Sequence, residues 1–423
     1  MTGPATVRVA LLSSEPVRPT LGGIGVRYLE LARRLPRLGF DVVLVSPAAR
    51  EQTVACGVEP ERVRPWRPDA VAQLFADRQV VVAQGQLAND LLTALPALPV
   101  AVDLYDPWLI ENLHYVESLG FEAFRNDHAT WVLQLSRGDF FLCSSAEQRL
   151  FYLGFLTALG RVHPERLARD PELSGLIGQV PFGLDPAPPE HRPLLPERAP
   201  GERRLLFGGL YDWYDPAPVL DALSRLDAGV RLLIVRNPNP DSTPQRRFGE
   251  VERECRRRGW WGERVRAIDW VPADRRHDLL REVDALVATH RPGLETDLAM
   301  RTRFLDALAV GCPAVTTAGG SVSRLLAGHG AGWVVPAGDA GAVAASLAEV
   351  LAGGPEVDAR RARGLALAAE FAWERVLAPL VAFLSEPKSD PTKELFSHRP
   401  PTVAPAEGTA RRFGRWLARR VRK

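Results

Sequence analysis

The 423-residue chain is 46% hydrophobic and 25% charged, an ordinary globular composition with room for about two or three domains. A formal net charge of +2 argues against a nucleic-acid binder, so any electrostatic recognition has to be local. No apolar run approaches the roughly 20 residues that a spanning helix needs.

The opening MTGPATVRVALLSSE has no basic start followed by a long apolar stretch, so no secretory signal is expected. Cys56, Cys143, Cys255 and Cys312 form no CxxC and no zinc spacing, which predicts a reduced, cytoplasmic protein without structural zinc. Lys388 is the first lysine, so the body of the chain holds neither a Walker-type nor a Schiff-base lysine. Phosphate, if bound, must be met by arginine and backbone N–H groups.

In chain order, V7RVALLSSE15 reads as a strand, and Y28LELARRLPRLG39 as a helix with Leu29, Leu31, Ala32 and Leu35 at helical spacing. Further strand-like runs start at Asp41, Val80, Val100 and Phe140, and A146EQRLFYLGFLTALG160 reads as a helix. The Pro-dense 186–202 is read as a linker between units 1–185 and 203–363. Beyond it the pattern restarts, with strand-like runs opening at Arg204, Arg231, Val265, Asp284, Cys312 and Ala331. Strands alternating with helices in two similar halves predict an α/β protein of two Rossmann-like, parallel-sheet domains facing across a cleft. A closing helix is expected over 364–385, then a Pro-rich linker and basic tail over 386–423. In the tail, Phe413, Trp416, Leu417 and Val421 share one helical face amid arginines. That pattern suits a membrane-surface segment; the alternative is a solvated basic tail.

Several stretches could carry chemistry. L21GGIGVRYLELARRL35 contains Gly22 and Gly23, but Tyr28 fills the third glycine position of a dinucleotide fingerprint and the glycines stand too far from their strand. The loop is read instead as a helix N-terminus able to meet an anion or hydroxyl, or as a plain turn. Asp103 and Asp106 follow a strand, with Glu111 and His114 beyond; they suit hydroxyl recognition, although Asp106 before Pro107 also suits a helix cap. Gly208 and Gly209 let a backbone approach a ligand. Tyr211, Trp213 and Tyr214 either pack on a base or cover the sheet edge. Arg236 ends a strand where a phosphate would arrive. In E295TDLAMRTRFLDALAVGCPAV315, a helix read over 298–309 places Phe304, Leu305 and Leu308 on one face and Arg303 with Asp306 on another; Arg301 does not share the Arg303 face, which suits a helix that starts after it, with Arg301 in the preceding turn. Arginine near a helix N-terminus opposes the macrodipole, so a compensating partner is expected; the plain alternative is an Arg303–Asp306 surface pair worth about 0.2–0.5 kcal/mol.

Over about residues 7–385 these features resemble the glycosyl transferases group 1 family of GT-B fold. The resemblance rests on GGIGVRYLELARRL, GFDVVLVSP, ETDLAMRTRFLDALAVGCPAV, GAGWVVPAGDAGAVAASLAEVL and FAWERV. It implies transfer of a sugar from a nucleoside-diphosphate sugar to an acceptor hydroxyl, with retention, in polysaccharide or glycolipid synthesis. It implies no metal or other cofactor, in keeping with the lack of a DxD motif. Counting back from Gly311, Asp306 stands where the family holds the donor ribose, and Glu295 where it faces the donor sugar, at a longer spacing than usual. The family's Arg/Lys pair is missing from GGLYDWYDP, which leaves Arg301, Arg303 and Arg236 as candidates for the diphosphate. The expected catalytic residues are thus Arg301, Arg303 and Asp103, with Asp306, Glu295, Arg236, Gly208 and Gly209 on the donor. Gly22, Gly23, Asp106 and His114 are expected near the acceptor or phosphates. Expected partners are the nucleotide sugar, a glycan or lipid-linked acceptor, and an anionic membrane inner face through 409–423. A nucleotide-sugar epimerase or hydrolase and a non-catalytic scaffold are the alternatives.

Overall fold

A computed structural model describes residues 6–185, 189–237 and 246–393. Seven parallel strands form the first sheet: β1 (Arg8–Leu12), β2 (Asp41–Ser46), β3 (Val63–Pro65), β4 (Val80–Ala83), β5 (Val100–Asp103), β6 (Phe140–Cys143) and β7 (Ile177–Gln179). They lie in the order β3-β2-β1-β4-β5-β6-β7. The second sheet holds β8 (Arg203–Gly209), β9 (Val230–Val235), β10 (Val265–Ile268), β11 (Ala285–Ala288), β12 (Ala314–Thr317) and β13 (Trp333–Val335), in the order β10-β9-β8-β11-β12-β13. Helices cover both faces, so the central strands are buried throughout; Val9 to Leu12 and Val80 to Ala83 have no exposed surface. Burial on both faces is why these strands read as continuous apolar runs rather than as alternating ones.

The chain returns to the first domain after the second sheet. Leu184 donates its N–H to Phe371 O at 2.7 Å, setting the two crossings side by side. The stretch expected to be one closing helix is broken into Pro355–Ala368, a 3-10 turn, Trp373–Val376 and Ala378–Ser385. In the last of these, Phe383 stacks on Phe140 of β6 at 4.9 Å. Beyond it Lys393 reaches the buried Asp139 at 2.9 Å and Asp390 pairs with Arg161 at 2.7 Å. The basic pattern at 409–423 lies outside the described residues. Among the described residues, no helix is long and apolar enough to cross a membrane.

Candidate active site

Both sheets have a switch point, where the strand order reverses and the flanking loops part to leave a crevice. In the second sheet it lies between β8 and β11. β8 reaches it through an irregularity in its pairing with β9, between Leu206 and Gly208. Gly208 has φ of +83°, and a Cβ there would stand 2.7 Å from Arg303 Nη1. The bulge and the missing side chain therefore open a slot at the strand end, and the Arg303 guanidinium fills it. Arg303 Nη1 donates to Phe207 O at 3.0 Å and Gly209 O at 3.1 Å.

Arg303 comes from the helix Thr302–Ala309, with Arg301 one residue outside it at the N-cap. The two guanidiniums lie 4.8 and 5.1 Å from the Tyr214 ring. Arg301 Nη2 pairs with Glu295 Oε2 at 2.7 Å, whereas no carboxylate pairs with Arg303 among the described residues. His290, after β11, stands 4.8 Å from Tyr214, ring to ring. Burial holds this imidazole neutral, well below its ordinary pKa, and Arg301 and Arg303 push the same way. His290 Nε2 and Glu295 Oε1 are buried polar atoms without a hydrogen-bond partner among the described residues. Such orphaned atoms are costly unless a ligand or water meets them. Two guanidiniums and two unsatisfied buried polar atoms thus gather around Tyr214 and Glu295 at the switch point.

The first domain supplies the opposite wall. The N–H groups of Gly22 and Gly25, at the start of the helix Gly23–Arg34, are taken by the Glu15 carboxylate, at 2.6 Å for Gly25. The helix end expected to meet a ligand anion is thus met by the chain's own acid, and a Cβ on Gly23 would meet only open space. Burial raises the Glu15 pKa against those two N–H bonds. Asp106 and Glu111 hydrogen-bond to each other. Burial is the main cause that raises Asp106 to about 6, and it raises Glu111 well above the carboxylate range, with Glu295 adding to both. His114 is lowered by burial, and its ring lies 6.1 Å from Trp213 of the second domain.

The Asp106 shift has a consequence for stability. Between the ordinary value of 3.8 and about 6 the folded protein keeps a proton that the unfolded chain has lost. Stability should therefore fall as pH rises through that window. Asp106→Asn should flatten the fall, as read from urea midpoints at a series of pH values; an unchanged slope would contradict the pairing.

Three expectations need correction or refinement. Asp103 does not face the cleft: Arg27 Nε and Nη2 hold its two oxygens at 2.7 and 3.2 Å, with both side chains fully buried. It ties the Gly23–Arg34 helix to β5 and is placed for packing, not for catalysis. Asp306 does not pair with Arg303. Its Oδ1 takes Arg276 Nε at 2.8 Å and His277 Nε2 at 3.0 Å. Burial alone would raise its pKa, but Arg276 and His277 outweigh it and bring it to about 2. Its Oδ2 makes no hydrogen bond to a described residue, so one acceptor oxygen stays open. Arg236 follows β9, whereas Arg303 fills the slot at the end of β8. Arg236 lines a cavity of about 280 Å³ with Asn237, Asp269, Trp270 and Pro272, closed by Pro19 and Thr20 of the first domain. A larger cavity, about 400 Å³, opens beside Asp284 and Pro313 at the N-terminal strand ends and faces away from the cleft.

The sequence reading did not single out Glu15, His290 or Arg27. His290 had a usable signal, since it ends a strand run one step before the Arg-rich segment. Arg27 had none, because its partner lies 76 residues away.

Residues 203–353 match the family model described as Glycosyl transferases group 1. No curated protein matches the chain in sequence. Among solved structures, Anabaena HepE in complex with UDP and glucose is 14% identical with a TM-score of 0.65, covering 90% of this chain and 99% of that one. Sucrose-phosphate synthase from Thermosynechococcus elongatus is 15% identical with a TM-score of 0.61, covering 90% and 98%. AviGT4, a glycosyltransferase involved in avilamycin A biosynthesis, is 19% identical with a TM-score of 0.54, covering 90% and 97%. At these identities the structures speak for the fold, which is the two-domain GT-B fold. The domain spanning residues 203–353 matches the glycosyl transferases group 1 family.

Proposed function

We propose that the protein transfers a glycosyl group from a nucleoside-diphosphate sugar to an acceptor hydroxyl, with retention at the anomeric carbon. The observation that supports this most is Arg303, a cation without a carboxylate partner among the described residues, fixed at the switch point beside Arg301. When the bond from the anomeric carbon to the diphosphate breaks, negative charge grows on the leaving group. A guanidinium already held by backbone carbonyls stabilises that charge without reorganising. Glu295 Oε1 is suited to a donor-sugar hydroxyl, Asp306 Oδ2 to the ribose, and Asp106, Glu111 and His114 to the acceptor. The HepE structures, which hold UDP or UDP-glucose, support a nucleotide-sugar donor by analogy of fold.

The test is incubation of the full chain with a panel of nucleotide sugars and hydroxyl acceptors, the product anomer being read by proton NMR. Transfer with the donor's configuration is expected. An inverted product would remove retention, and epimerised or hydrolysed donor without acceptor would favour the isomerase or hydrolase reading.

The reaction is placed in polysaccharide or glycolipid synthesis at the inner face of a membrane. Support comes from the basic amphipathic pattern of residues 409–423. Anionic liposomes should co-float with the full chain and not with a chain ending at 408; equal flotation of both would end this placement.

A further inference from the structure

We infer that the base of the donor nucleotide is guanine, recognised by Arg236 and Asp269 at the ends of β9 and β10; this rests on the nucleotide-sugar reading above. Val235 is in parallel register with Ile268, and Arg236 N–H donates to Ile268 O at 2.9 Å. Arg236 and Asp269 are therefore the next pair along. In a parallel ladder such a pair leaves the sheet on the same side, about 4.8 Å apart. Both line the cavity of about 280 Å³ that Thr20 and Pro19 close from the first domain.

The pair is unusual in what it does not do. Opposite charges on adjacent strand ends ordinarily find each other, yet no ion pair joins these two. Neither side chain hydrogen-bonds to any described residue; the Arg236 guanidinium lies only 5.8 Å from the Phe248 ring. A cation and an anion on neighbouring strand ends, neither paired among the described residues, suit a ligand that presents two acceptors next to two donors. Guanine is the base that does so. O6 and N7 accept a planar guanidinium, and the adjacent N1–H and N2–H₂ fit a carboxylate. Uracil sets its one N–H between two carbonyls, which a carboxylate repels. Adenine offers an acceptor beside a donor on the edge that Arg236 would read. Trp270, partly buried in the same wall, offers a face for stacking any base and so adds affinity without selecting.

Calorimetric titration of the full chain with GDP, IDP, UDP and ADP tests the assignment. GDP should bind at least about tenfold tighter than UDP or ADP, with IDP, which lacks the 2-amino group, in between. Asp269→Ala should weaken GDP by about tenfold and leave UDP unchanged; Asp269 is exposed, so the variant keeps its fold. UDP or ADP binding as tightly as GDP, or a variant that weakens GDP and UDP alike, overturns guanine while leaving the diphosphate site in place. Binding of none of the four would remove the nucleotide-sugar reading itself.

Discussion

Arg303→Ala is expected to slow sugar transfer by about 10²–10³-fold at saturating donor, with little change in thermal stability. The two consequences separate because of what Arg303 touches. Its guanidinium meets two carbonyls at a strand end, Phe207 O and Gly209 O, which water can serve once the side chain is gone. It is not half of a buried ion pair, so its removal strands no charge. Arg303→Lys keeps the positive charge and loses the second guanidinium nitrogen, the one that Phe207 O and Gly209 O leave free for a phosphate; an intermediate rate is expected. Initial rates beside a circular-dichroism melt distinguish the cases. A variant that transfers sugar at the wild-type rate would show that the cation serves the fold alone.

The second large effect concerns stability. Arg27→Met should destabilise the first domain by about 3–5 kcal/mol, because it leaves Asp103 buried and uncompensated. The guanidinium also satisfies Val180 O at 3.0 Å and Pro181 O at 3.1 Å, so the pair knits β5, the Gly23–Arg34 helix and the segment leading into the interdomain crossing. Replacing both partners, as Arg27→Met with Asp103→Leu, should recover much of the loss, since an apolar pair needs no solvation. Urea titration of the single and double variants reads this directly. Equal losses in both would place the energy in the carbonyl contacts rather than in the ion pair.

These two arginines also show how far a sequence can be read. The central strands were legible because burial on both faces demands apolar, β-branched runs such as Val42 to Val45 and Val80 to Val82. The edge strands β3 and β7 were not, because Val-Arg-Pro and Ile-Gly-Gln hold no apolar run, unlike the equally short Trp333–Val335. Residues 365–384 read as one helix because apolar spacing persists across the break; Pro379, which sits in the first turn of the last helix, is compatible with either reading. Within the site, local information sufficed for Arg301, which sits at the N-cap as its position before the helix implies. It failed for Asp103 and Asp306. A sequence shows that a carboxylate stands at a strand end or on a helix, but not which distant arginine will take it. Glu15 illustrates the same limit from the other side: the glycine loop is built to receive an anion, and the anion is seven to ten residues away in the same chain.

The most direct measurement is calorimetric titration of the wild-type chain and Arg303→Ala with nucleoside diphosphates. The wild type should bind at least one of them, and Arg303→Ala should lose about tenfold or more in affinity, as removing a charge-assisted contact to phosphate entails. Wild type and variant binding the same diphosphate equally well, or the wild type binding none, would contradict a diphosphate site at the end of β8.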